Sequence, residues 1–273
     1  MSPRAAALLA AILFAPHAGA AQVEVRGYAL GVGSYAGESD LVRGGATLFG
    51  RGRAMLTWDG SWLSAEVAYE HVVQRRPAGG GFGITSAGTA RRSTSWLPLE
   101  WTIDETARSS WRHQLDRLAL RASRGPLEVT LGRQAISWAT TLFLTPADPF
   151  TPFDPADPFR EYRGGVDAAR VRYFTGPFTE LEALVRPIDS GNGTLMTALA
   201  RVSTSRGGWA FGVWGGVLHE EPAGAAFVTG GLGATSLRSE LAAAQDPAGG
   251  ALVRGSLGFD RFFQPGGKDL RAL

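Results

Sequence analysis

Cysteine is absent from the 273 residues, so an exported form of this chain has no disulfide staple and no thiolate chemistry. Asparagine occurs once, at Asn192, in an Asn-Gly-Thr stretch that reads as a turn. Beyond residue 20, histidine occurs only at His71, His113 and His219. No H-x-S stretch places a base beside a serine, and a serine without a positioned base is not activated. His71 reads as a rim or interface residue, and no enzyme activity is expected. Asp148, Asp154 and Asp157 lack the spacing and central glycine of a calcium loop, and Gly79 to Gly83 is followed by no Lys-Ser/Thr pair. No metal or cofactor is therefore expected. Charge of one sign is scarce as well: the formal net charge is +2, too balanced for a nucleic-acid partner, which calls for a basic patch or stripe. Nor is there a long apolar run after residue 20, since Arg, Asp, Glu, Gly or Pro interrupts every candidate. If the chain crosses a membrane it must do so as a closed barrel, because only helices and closed barrels satisfy every backbone group in lipid.

The first twenty residues read as a cleaved signal peptide. Arg4 supplies the positive region, Ala5 to Ala15 the apolar region, and Ala18-Gly19-Ala20 the small-residue cleavage site. Residues 21–273 are then one large domain or two small ones. Glycine is abundant, at 37 residues, and aromatics include eight Trp and fourteen Phe. Gly-rich turns with many aromatics favour an all-β fold.

Period-two alternation runs through the chain. Leu63, Ala65, Val67 and Tyr69 share one face, with Ser64, Glu66 and Glu70 on the other. Leu118, Leu120 and Ala122 oppose Arg117 and Arg121, and Leu127, Val129 and Leu131 oppose Glu128 and Thr130. Ala169, Val171 and Tyr173 oppose Arg170 and Arg172; Leu181, Ala183 and Val185 oppose Glu180, Glu182 and Arg186. Leu237 and Leu241 oppose Arg238 and Glu240, and Val253, Leu257 and Phe259 oppose Arg254, Ser256 and Asp260. Arg133 falls on the apolar parity of its strand, which a bulge or a rim position would resolve.

Alternation alone fits a soluble sandwich with one wet face as well as a membrane barrel. The connections separate the two. Ser34 to Gly44 is long, Asp59 to Ser61 tight, Arg75 to His113 very long, Ser123 to Pro126 tight, Ala139 to Gly164 long and Thr175 to Pro177 tight. Asp189 to Thr194 is intermediate and Ser205 to Gly208 tight again. Long and short connections in turn are the mark of an antiparallel up-and-down transmembrane β-barrel. About twelve strands are expected, starting near Val23, Ala46, Ser61, Gln114, Leu127, Val166, Phe178, Leu195, Gly208, Ala225, Ser236 and Gly250; the register between 208 and 233 stays open. After a turn at Gln264 to Lys268, Asp269 to Leu273 would begin a thirteenth strand. A barrel cannot leave an edge unpaired in lipid. The expectation is the incomplete N-terminal part of a larger barrel, with a complete twelve-stranded barrel as the alternative.

Between Gly132 and Phe174 the chain reads LGRQAISWATTLFLTPADPFTPFDPADPFREYRGGVDAARVRYF from Leu131. Gly132-Arg133-Gln134, Ile136, Trp138, Pro146, Asp148, Phe150, Pro152 and Gly165-Val166-Asp167 with Arg170 carry a resemblance to porin-like barrels of Gram-negative bacteria, loosely similar to the alginate-export type. Ala139 stands where a glycine is expected. The resemblance implies an outer-membrane location and passive passage of solute, with outer-membrane lipid and the barrel-assembly machinery as partners.

The loop at residues 139–164 carries prolines at 146, 149, 152, 155 and 158, with Phe143, Phe150, Phe153 and Phe159 interleaved. Such a stiff segment either folds inward as a pore constriction or packs on itself outside. The expected pore-lining and constriction set is Arg51, Arg53, Glu66, Arg117, Arg121, Glu128, Gln134, Asp148, Asp154, Asp157, Arg160, Arg170, Arg172, Glu180 and Glu182. With Arg186, Arg201, Arg238 and Arg254 on the same face, arginines outnumber acids. A mild anion preference follows, unless the two signs pair across the wall. Trp58, Trp62, Trp138 and Tyr173 fall near strand ends, where rings anchor at a membrane interface. Two functions fit: a channel for small polar or anionic solutes, or a plugged structural or partner-binding barrel, which a truncated chain would resemble in passing nothing.

Overall fold

The structure is a computed structural model that describes residues 21–38, 44–76, 95–141, 144–150, 163–246, 249–263 and 270–272. The leader segment lies outside them, as do Gly79 to Gly83 and all of 151–162 with Asp154, Asp157, Arg160 and Glu161.

The fold is all-β, an up-and-down antiparallel sheet, with no helix among the described residues. Its strands are β1 (Gln22–Ala36), β2 (Gly45–Asp59), β3 (Leu63–Arg75), β4 (Glu100–Glu105), β5 (Ser109–Arg124), β6 (Leu127–Gln134) and β7 (Val166–Phe174). They continue with β8 (Thr179–Asp189), β9 (Thr194–Arg206), β10 (Trp209–Leu218), β11 (Glu221–Leu232), β12 (Thr235–Gln245), β13 (Ala251–Phe263) and β14 (Leu270–Ala272). Strand order follows chain order except that β4 pairs with β5 off the path. Among the described residues the order is open, with β1 and β14 at its ends.

All twelve expected strand starts lie within five residues of an observed one. The stretch expected as one very long loop to His113 instead contains β4 and the first turn of pairing of β5. From Ser110 to Gln114, β5 pairs with β3 on one side and β4 on the other, so β4 covers an edge that would otherwise be bare. Between 208 and 233 the register is Trp209↔Gly230 through Leu218↔Glu221. The rhythm of connections stops there: β10 and β11 are joined by His219 and Glu220 alone, where a longer link would continue the alternation. Both residues have positive φ, 54° and 72°, as the hairpin turn that matches strand twist requires.

The chain divides into two compact units: Met1–Ala122 with Leu131–Ala135 and Asp154–Asp167, and Ser123–Thr130 with Ile136–Phe153 and Ala168–Leu273. In the first, Leu48, Tyr69, Val73, Trp111 and Leu131 are exposed while Arg51, Arg53, Glu70, Gln74, Asp116, Arg117 and Arg133 are buried. In the second, Leu181, Val185, Val213 and Leu241 are exposed while Glu182, Arg186, Thr197, Glu240 and Asp260 are buried. Leu257 is 80% exposed and Glu240 2%. Each unit thus turns its apolar strand face outward and shields its charges, the reverse of a soluble sheet.

Candidate functional site: two ion-pair clusters and a loop held by Glu240

In the first unit the polar face is a connected network. Arg53 on β2 donates to Asp116 Oδ2 at 2.6 Å and to Glu70 Oε2 at 3.3 Å. Glu70 also accepts from Gln114 at 2.9 Å, and Arg51 Nε lies 3.9 Å from the same carboxylate. Arg117 donates to Asp116 Oδ2 at 2.7 Å and to the Arg163 carbonyl at 2.6 Å. Asp116 and Arg117 are both buried although adjacent, because the β3–β5 register shifts between Ala68 and Tyr69 and leaves Asp116 as the extra residue.

Arg133 is buried too, although its neighbour two residues back, Leu131, is exposed. Gly132 between them has φ +109°, a conformation that reverses the parity of the strand. A Cβ there would sit 2.2 Å from the Leu118 carbonyl oxygen. The guanidinium so directed grips Asp167 with both arms, at 2.7 and 2.9 Å, and donates to the carbonyls of Leu97 and Leu115. Asp167 in turn accepts from the Leu97 amide. Arg133 and Asp167 are therefore the joint that holds the segment before β4 in place. Gly165 is required for a different reason: a Cβ would lie 2.1 Å from the Asp116 carbonyl oxygen, and its amide donates to Asp116 Oδ1.

In the second unit Glu182 accepts from Arg170 at 2.6 Å, Trp138 Nε1 at 3.1 Å and Arg201 at 3.4 Å. Arg172 is held by Glu180 through both carboxylate oxygens and by Glu128. Glu240 on β12 collects the loop after β6. Its Oε1 accepts from the Thr140 amide at 2.5 Å, the Thr140 hydroxyl at 2.8 Å and the Thr141 amide at 2.9 Å, and its Oε2 from the Ala147 amide at 2.9 Å. Trp214 Nε1 donates to the Ala147 carbonyl. Asp148 accepts from Ser137 and from the Phe150 amide. The described part of the loop, through Phe150, accordingly lies on the polar face of its own unit.

Of the expected site residues, Arg51, Arg53, Glu66 and Arg117 gather in the first unit; Glu128, Arg170, Arg172, Glu180 and Glu182 gather in the second. Gln134 and Asp148 are buried. Asp154, Asp157 and Arg160 lie outside the described residues. Arg121 is exposed, near the end of β5. Trp138 is not at a girdle position: it is 1% exposed, edge-on to Phe150 at 4.8 Å and 5.8 Å from the Trp214 ring. Its indole N–H finds a carboxylate inside, which a lipid-facing ring could not. Trp62 and Tyr173 are exposed.

Asp116, Asp167 and Trp214 were missing from the expected set. Asp167 had a signal, as the acid of the Gly-Val-Asp stretch three residues before Arg170; Asp116 and Trp214 had none beyond parity. Among the described residues Asp116 and Asp167 add two acids to the buried charges, and Arg133 adds one cation. Among the described residues no group of three or more His, Asp or Glu is placed to hold a metal ion. Compared with known proteins, the chain matches no protein-family model and no curated protein.

Proposed function

We propose that the chain is a porin-like β-barrel of a Gram-negative outer membrane, exported by residues 1–20 and inserted by the barrel-assembly machinery, and that it passes small polar or anionic solutes. The observation that carries this reading is the inverted polarity of both units. Exposed Leu, Val, Ile, Met and aromatic side chains on β1 to β13 are costly in water and favourable against lipid, whereas buried arginines and carboxylates need a shielded polar interior. No helix among the described residues is long and apolar enough to span a bilayer; crossing would be by strands. The loop held by Glu240 would narrow the passage.

The density of ion pairs favours a second reading, a plugged barrel with a structural or partner-binding role. Purified protein in a planar bilayer decides between them. Discrete conductance steps are expected; heat-modifiable, correctly folded protein that inserts without steps would overturn the channel in favour of the plugged barrel.

A further inference from the structure

Arg201 on β9 is bonded unlike the arginines beside it. Arg170 and Arg172 each point Nε at a carboxylate, at 2.6 and 2.7 Å. Among the described residues the guanidinium of Arg201 has one hydrogen bond, from Nη1 to Glu182 Oε2 at 3.4 Å, and its Nε is buried without a partner. Glu182 is already committed to Arg170 and to Trp138. Two guanidiniums therefore share one carboxylate, and most of the five donors of Arg201 have no acceptor among the described residues. The side chain is 15% exposed, so the cost of an unmet donor falls on the buried Nε, while the rest of the N–H edge opens onto the space beside it.

Its surroundings define what could complete it. The guanidinium carbon lies 5.6 Å from the centroid of the Trp138 ring and 5.3 Å from that of Phe227. These rings stack against the cation and leave its N–H edge as the part open to a ligand. Arg201 lines a cavity of about 350 Å³ between residues 137–140 and the polar faces of β8 to β11. Ser137, Ser203, Ser205 and Thr229 supply hydroxyls to the same cavity. Glu180, the acid on its wall, has both oxygens taken by Arg172.

We infer that this cavity is a binding site for a small monocarboxylate, whose carboxylate is held by the N–H edge of Arg201 and whose polar substituents meet the serine and threonine hydroxyls. A planar carboxylate matches the guanidinium fork. One shared cation suits a monoanion, while a phosphate dianion would meet the repulsion of Glu180 and Glu182. The inference rests on the channel reading and deepens it by naming a solute class.

Calorimetric titration of the intact folded protein in detergent tests it, with lactate, its neutral counterpart lactamide, and inorganic phosphate. Lactate is expected to bind at one site, at least tenfold more tightly than either of the others. Arg201→Gln is expected to lose that tenfold, and Arg201→Lys to restore part of it. No binding of lactate, equal binding of lactamide, tighter binding of phosphate, or unchanged binding by a folded Arg201→Gln protein would each overturn the site. The lactate–lactamide comparison uses the unaltered chain and so stands even if the variants fail to fold. Conductance without lactate binding would remove the site and leave the channel; lactate binding without conductance would do the opposite.

Discussion

At Arg133 one guanidinium makes hydrogen bonds to a carboxylate and to two backbone carbonyls, all away from water. Replacing it by methionine keeps the length of the side chain and leaves Asp167 as a buried charge without its cation. Such a loss typically costs about 3–5 kcal/mol. Arg133→Met is expected to lower the unfolding free energy measured in urea by that amount, and a value unchanged from the parent would contradict the joint described above. The turn between β10 and β11 offers the opposite kind of test. His219 and Glu220 hold positive φ, a conformation that L side chains disfavour. His219→Asn with Glu220→Gly is expected to stabilise the fold by about 1 kcal/mol. Burial, and then the charge of Arg186, hold the His219 imidazole below its ordinary pKa of 6.5. The unfolded chain therefore takes up a proton before the folded one does. Stability is fully present above pH 6.5 and falls as the pH drops below it. Denaturation curves between pH 7 and 5 should show this loss in the parent and a flatter profile in His219→Asn.

Among the elements, the loop after β6 depends most on a single contact. Three amides and a hydroxyl from Thr140, Thr141 and Ala147 converge on Glu240. In Glu240→Gln one oxygen becomes an NH₂ group, so at least one loop amide faces a donor instead of an acceptor. A penalty of roughly 2 kcal/mol should raise amide exchange at these residues about thirtyfold. Exchange unchanged from the parent would mean that the loop is held by its aromatic packing on Trp138 and Trp214 instead. The stiffness of this loop is legible in its prolines; the contacts of its described part are not. Those contacts are made by an acid on β12, one hundred residues further along the chain. No local pattern encodes that distance. β4 was illegible for a related reason: its role is to pair with the free edge of β5, which exists only once the sheet has formed.

For the whole molecule, the count of charges along the strands favours anions, and the described residues add Asp116 and Asp167 to the acids against Arg133 alone to the arginines. Selectivity set by the face as a whole should accordingly be weak. The reversal potential in a potassium chloride gradient is expected close to zero, and a strong cation preference would count against the arrangement of pairs described for the two units. The exposed apolar faces lead to a simpler expectation. The protein should leave its membrane only with detergent, and release by alkaline carbonate would remove the membrane reading altogether.

What the sequence alone determined is the all-β class, the positions of the strands other than β4 and the sign of most faces. These follow from alternation and from the residues that make turns, both local properties of a backbone with period two. What only the tertiary structure decided is where the pattern is broken and who meets whom. Arg133 turns inward because Gly132 takes a positive φ against the Leu118 carbonyl. Trp138 turns inward because Glu182 offers its indole an acceptor. Arg201 is left short of acceptors because Glu182 is shared with Arg170. Each outcome depends on a hydrogen-bond partner brought close by folding, and buried polar groups are satisfied, or left unsatisfied, only in three dimensions.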